Sequence, residues 1–238
     1  MSAPAPPPGF RKVVFLSHVN APDMPIFPGD PAFELRAAAT VEDDGFYLQE
    51  MRIGEQSGTH WAAPSHFNAG EADATDLDAG ELIRPADVLD VREAVVANAD
   101  RELGLGDVER FESAHGRIPE GALVIAWTGF QDRWPDAGAY LNADAAGAMH
   151  YPGFGLEAAR FLIEERGAGG LGIDTMGIDP GRDEEYRVNT LLLRGHRIHV
   201  ENLTGLEQMP PNGGWIVVGG IRNRRGSGGP ATVFGLVP

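Results

Sequence analysis

Gln56-Ser57-Gly58-Thr59-His60-Trp61-Ala62-Ala63-Pro64-Ser65-His66-Phe67 sets two imidazoles six residues apart on a segment without convincing periodicity. Gly58 permits close backbone approach, and Pro64 stiffens the chain. A stiff segment holds two imidazoles at a fixed spacing, which metal binding and acid–base work both require. The same residues also suit a polar loop whose histidines bond to backbone. Spacing alone leaves both readings open.

Working outward, the run Val13 to Val19 reads as a buried strand, being short, β-branched and aromatic. Pro22, Pro25, Pro28, Gly29 and Pro31 then impose a rigid, non-helical loop. Phe33 to Ile53 reads as two strands split by the hairpin signal Asp43-Asp44-Gly45. On the other side, Val88–Val91 and Ala122–Trp127 read as strands. Asp107 looks like an N-cap for a helix that Gly116 ends. Leu156, Ala159 and Ile163 share a helical face before Gly167. Leu171–Ile173 is a strand, Glu184–Arg194 a helix stopped by Gly195, and Ile198–Val200, Trp215–Val218 and Thr232–Val237 are strands. Strands and helices alternate in the middle, with extra strands at both ends. That pattern predicts one α/β domain around a central mixed sheet.

The 238 residues carry a net charge of −16, which repels phosphate backbones and anionic lipid and so argues against nucleic-acid and membrane partners. No cysteine is present, which removes disulfides, thiolate ligands and thiol nucleophiles. Any metal must sit on His, Asp, Glu, Asn, Gln or backbone oxygen. No apolar run nears the roughly 20 residues that span a bilayer. Residues 1–9 are small and proline-rich, without the regions of a signal peptide. They predict a disordered tail on a cytoplasmic protein.

Two further clusters carry chemistry. Asp174-Thr175-Met176-Gly177-Ile178-Asp179-Pro180 places carboxylates beyond the end of a strand, where open α/β sheets keep their sites. Capping of turns explains both aspartates better. In His199-Val200-Glu201-Asn202, a strand puts His199 and Glu201 on one face, able to share a metal or a proton or simply a surface hydrogen bond.

Taken together, these residues resemble the cyclase family, the group of bacterial kynurenine formamidase, isatin hydrolase and trans-dienelactone hydrolase. Its signature His-x-Gly-Thr-His-x-Asp-x-Pro-x-His stands here as Gln56-x-Gly58-Thr59-His60-x-Ala62-x-Pro64-x-His66. Leu16-Ser17-His18, Met24-Pro25, Pro28-Gly29-Asp30-Pro31, Tyr151-Pro152-Gly153, Gly172-Ile173-Asp174-Thr175, Glu201-Asn202-Leu203 and Gly226-Ser227-Gly228 are similar too, so the likeness spans nearly the whole chain.

The resemblance implies a swivelling β/α/β fold over residues 10–238 and a homodimer or homotetramer. It also implies hydrolysis of a small cyclic or aryl amide, ester or lactone by water activated on zinc or manganese. His66, the last histidine of the signature, would be the general acid or base. The chain departs from the pattern at the ligands: Gln56 replaces the first histidine, Ala62 the bridging aspartate, and Asn189 a later histidine twelve residues before Glu201. His60, His66 and Glu201 survive as the catalytic set. His60 and Glu201, with weak carbonyl oxygens from Gln56 and Asn189, predict at most one divalent metal per chain and no organic cofactor. Trp61, Phe67 and His18 are the expected substrate contacts, with core filling as the other role open to Trp61. Trp127, Phe130 and Trp134 are the expected apolar contact between subunits. Two alternatives stay open: a metal-free acid–base cyclase, dehydratase or isomerase of secondary metabolism, and an inactive ligand-binding homologue.

Overall fold

The strands β1 (Lys12–Phe15), β2 (Glu34–Ala39), β3 (Leu48–Arg52), β4 (His60–Ala62), β5 (Ile83–Asp90) and β6 (Glu102–Leu103) are followed by β7 (Leu123–Trp127), β8 (Gly153–Phe154), β9 (Gly170–Ile173), β10 (Ile198–Glu201), β11 (Gly214–Gly220) and β12 (Gly228–Val237). Between them run α1 (Val41–Asp44), α2 (Arg92–Ala97), α3 (Leu105–His115), α4 (Ala137–Leu141), α5 (Leu156–Glu164) and α6 (Arg187–Leu192). The computed structural model describes residues 7–238. The tail expected over residues 1–9 lies outside them as far as residue 6. Residues 7–9 form an exposed turn, with the Phe10 N–H donating to the Pro7 carbonyl at 3.1 Å. No helix among the described residues is long and apolar enough to cross a membrane.

The sheet is mixed, as the alternation of elements predicts, and it closes. In the order β12-β11-β5-β7-β9-β10-β4, β4 returns to pair with the start of β12, while β1 pairs with the end of the same strand. The strands β5, β7, β9 and β10 run parallel and the rest antiparallel. Closure requires a tight approach at Gly228, whose φ is +145°. A Cβ there would stand 2.0 Å from the Trp61 carbonyl oxygen. Only glycine fits.

Period-2 alternation then separates two cores. Val14, Trp61, Ile125, Val200, Ile216 and Val233 fill the barrel. Val124, Ala126, Leu171 and Ile173 face outward under α3, α5 and α6. On β10, Ile198 and Val200 therefore point in, and His199 and Glu201 point out. On β4, Trp61 points in and His60 and Ala62 point out. The antiparallel register sets His60 opposite Glu201, and Ala62 opposite His199.

Several boundaries differ from expectation. The first strand ends at Phe15, not Val19. The β2–β3 connection is a helical turn, α1, capped by the Thr40 side chain rather than a tight hairpin turn. Helix α3 begins at Leu105, and Asp107 lies inside it, accepting the Gly104 N–H at 2.9 Å while pairing with Arg101 and Arg110. Helix α6 begins at Arg187 rather than Glu184, because Tyr186 sits in the left-handed region at φ +51°.

Candidate active site

The outward faces of β4 and β10 converge on three buried groups: His60, His199 and Glu201, whose candidate ligand atoms all lie within 4.8 Å of one another. His60 Nδ1 donates to the Gly58 carbonyl at 2.9 Å, and its Nε2 stands 3.1 Å from Glu201 Oε2. The other oxygen, Glu201 Oε1, accepts the Ile178 N–H at 2.8 Å and lies 3.5 Å from His199 Nδ1. Burial alone raises the Glu201 pKa, but His199, His60 and the Ile178 N–H outweigh it and hold the carboxyl well below the usual range. Burial draws the His199 pKa down to about 3, so that ring is neutral at pH 7.

A second layer orients this set. Asn202, at φ +56°, donates from Nδ2 to the same Gly58 carbonyl at 2.7 Å, and Tyr140 Oη donates to Asn202 Oδ1 at 2.7 Å. Asp174 and Asp179 both accept backbone N–H groups, though not those of the turns beside them as their positions suggested. Asp174 accepts from Thr128 N, Thr128 Oγ1, Gly129 N and Gln131 N. Asp179 accepts the Val188 and Asn189 N–H groups that open α6, and burial raises its pKa to about 6.

A cavity of about 490 Å³ opens over the set. Gln56, His60, His199 and Glu201 line it beside His66, with Phe27, Phe67, Met149 and Tyr186 supplying apolar and aromatic surface. His66 follows Pro64 in a 3₁₀ turn. Its ring meets Phe67 edge-on at 4.6 Å and His199 at 5.8 Å. Burial lowers the His66 pKa, against partial compensation from Glu201.

The structure thus unites His60, His66, Glu201, Gln56 and Phe67, and corrects three assignments. Trp61 is not a substrate contact, because alternation turns it into the barrel, where it is fully buried. His18 does not line this cavity. Its ring stacks on Trp134 at 4.0 Å and faces a separate depression with Phe15, Met51 and Ile221. Asn189 is not a free carbonyl ligand, since its Oδ1 lies 2.6 Å from His199 Nδ1 and its Nδ2 donates to Asp179 at 2.9 Å. The expected subunit contact also fails at Phe130, which is buried in the outer core, while Trp127 lies under the Arg92 guanidinium. Sequence reasoning paired His199 with Glu201 by period-2 alternation but left it out of the expected ligand set. Tyr186 carried no signal, since its left-handed backbone is invisible in a sequence.

The cyclase family model, described as "Putative cyclase", matches residues 14–180. The chain belongs to the cyclase family. Among family relatives, it is 30% identical to the isatin hydrolase of Roseibium aggregatum over 248 residues, covering 97% of this chain and 93% of the relative. It is 26% identical to the kynurenine formamidase of Bacillus mycoides over 184 residues, 75% of each protein. A solved cyclase-family structure, an isatin hydrolase bound to the product analogue thioisatinate, matches with a TM-score of 0.90 at 28% identity, covering 95% of this chain and 92% of that one.

Two orphaned atoms bear on a metal. His199 Nε2 and Gln56 Oε1 are buried without a hydrogen-bond partner. The amide oxygen carries lone pairs, the imidazole nitrogen carries one when the ring proton is on Nδ1, and both residues line the cavity. Two imidazoles, a carboxylate and an amide oxygen are a donor set that fits one divalent ion.

Proposed function

We propose that this chain hydrolyses a small cyclic or aryl amide, ester or lactone in the cavity over His60, His199 and Glu201. The observation that carries the reading is a buried His–His–Glu cluster beside the partly buried imidazole of His66, under a cavity of about 490 Å³ with aromatic side chains in its wall. The isatin hydrolase and kynurenine formamidase relatives support an aryl amide as the substrate class.

His60, His199 and Glu201, assisted by Gln56 Oε1, would hold one divalent ion. Such an ion lowers the pKa of bound water and polarises the carbonyl. His66 accepts the proton of the attacking water and returns it to the leaving nitrogen or oxygen as the acyl bond breaks. Phe67 and Tyr186, with ring centroids 5.3 Å apart, provide the aromatic wall against which the substrate ring packs. Asn202 and Tyr140 keep His60 in place through the Gly58 carbonyl.

Assay of isatin, N-formylkynurenine and a panel of aryl lactones, with zinc or manganese added, tests the reading. Ring opening or deformylation of at least one, lost in His60→Ala, is expected. Absence of turnover on every member, with the metal bound, overturns it. Elemental analysis after dialysis against excess zinc or manganese should find no more than one ion per chain. Among the described residues there is a single such cluster, and Ala62 supplies no bridge.

One observation favours the metal-free acid–base alternative. Both nitrogens of His60 face oxygen acceptors, Gly58 O and Glu201 Oε2. A doubly protonated ring satisfies that arrangement without an ion. Full turnover after prolonged chelation would select this reading over the first.

We further propose that the protein acts as a homodimer or homotetramer in the cytoplasm. Exposed Phe46, Tyr47, Leu48 and Met51 on and beside β3 offer the apolar contact that Phe130 does not. Light scattering showing only a monomer at micromolar concentration would refute the assembly, and cell fractionation checks the compartment.

A further inference from the structure

We propose that Asn189 is a positioning residue: oriented by Asp179, its amide carbonyl locks His199 as the Nδ1–H tautomer and presents the bare Nε2 lone pair to the cavity.

The argument is one of donor and acceptor polarity along three side chains. Asp179 already accepts the Val188 N–H at 2.6 Å and the Asn189 N–H at 3.0 Å. A carboxylate in that position only accepts, so the Asn189 side chain must turn its NH₂ toward Asp179 Oδ2, and the contact is 2.9 Å. The amide oxygen then has to face the other way, where it stands 2.6 Å from His199 Nδ1. Two acceptors cannot share that distance, so Nδ1 carries the proton. Glu201 Oε1, at 3.5 Å from the same nitrogen, asks for the same proton. The neighbouring rings of His60 and His66 stand off at 5.8 Å each.

The His199 ring is buried and no acceptor reaches Nε2, so a second N–H at that atom would be a buried donor with no partner. With that proton on Nδ1, Nε2 is a lone pair. It is also the atom left buried without a partner. A reversed amide would set oxygen against the Asp179 carboxylate and NH₂ against Nδ1. His199 would then offer an N–H to the cavity, useless as a ligand or base. The orientation of one amide thus decides whether His199 can serve. Partners of this kind fix tautomer and ring orientation in metal sites.

The consequence for metal affinity rests on the proposed hydrolase site, while the tautomer does not. Ring ¹⁵N long-range correlation spectra near pH 7, with His199 assigned by its loss in His199→Gln, read the tautomer directly. A protonated Nδ1 and a bare Nε2 are expected in the wild type. Asn189→Leu should shift both signals toward a mixed tautomer and weaken zinc binding by about 10–100-fold. Asp179→Asn, which can donate as well as accept and so releases the amide, should loosen the tautomer with a smaller change of shape. A wild-type spectrum with Nε2 protonated overturns the proposal. So do unchanged His199 signals in whichever folded variant is obtained. Failure of wild-type protein to bind zinc would count against the metal-dependent reading alone, because the spectrum still decides this one.

Discussion

His66 stands at the side of the cavity with Phe67 against its edge and no hydrogen-bond partner fixing its proton among the described residues. Burial lowers its pKa below the ordinary 6.5, with Glu201 and Glu55 opposing the shift. At neutral pH the ring is therefore neutral and ready to accept a proton. A lowered pKa means that protonation comes late on the way down. The acid limb of kcat/KM should fall with a midpoint below 6.5, and a limb at or above that value would contradict the assignment. Removing the ring tests it more severely. His66→Ala should lose about 10²–10⁴-fold in turnover with an unchanged circular dichroism spectrum. Turnover within about twofold of wild type would place the proton transfer elsewhere. His60 and Glu201 differ in kind, because each touches the other and both are buried. Substituting either leaves a buried charged or polar partner unmatched and affects folding as well as chemistry.

At the scale of elements, β4 is short yet decisive. It carries His60 outward and Trp61 inward, pairs with β10 on one side and with β12 on the other. The Ala63 N–H to Ser227 carbonyl bond at 2.8 Å and the Ala231 N–H to Thr59 carbonyl bond at 2.8 Å secure the second seam. Gly228→Ala forces a methyl into the Trp61 carbonyl at a backbone angle that L side chains avoid. The change should cost at least about 2 kcal/mol, summing overpacking and backbone strain. Chemical denaturation checks it, and a midpoint unchanged from wild type would show that the seam tolerates separation. Helix α6 is set by Asp179, which satisfies two of its leading N–H groups and also holds Asn189. One carboxylate thus joins a helix start to the geometry of the site.

For the molecule as a whole, 35 acidic residues against 19 Lys and Arg leave a net charge of −16 on a fold that also buries Asp174, Asp179 and Glu201. Self-repulsion of that size destabilises the compact state at low ionic strength. Raising salt shortens the screening length from about 30 Å at 0.01 M to about 8 Å at 0.15 M. The melting temperature should rise across that range, by a few degrees. A fall with added salt would mean that surface ion pairs such as Arg36–Glu50 and Arg52–Glu34 outweigh the repulsion. The same field surrounds the cavity mouth, where Asp183 and Glu184 stand beside Arg182.

The sequence by itself determined the α/β class, most strands and helices, and the family. Each of those rests on local signals: β-branched runs, glycine stops, and fixed spacing in Gly58 to His66. It also determined that His199 and Glu201 share a face, because strand alternation is a property of the chain alone. That Asp174 and Asp179 would serve backbone N–H groups was legible, but the groups they serve were not, because Asp174 accepts from Thr128, Gly129 and Gln131, remote in sequence. Only the tertiary structure decided that the sheet closes, because closure depends on β12 pairing with a strand more than 160 residues away. Closure gives the barrel an inside, and that inside took Trp61 from the substrate. The register between β4 and β10 brought His60 to Glu201 and His199 opposite Ala62. The role of Asn189 came from the same long-range packing. An amide read in sequence is donor and acceptor at once, and only its neighbours in space decide which end faces the site.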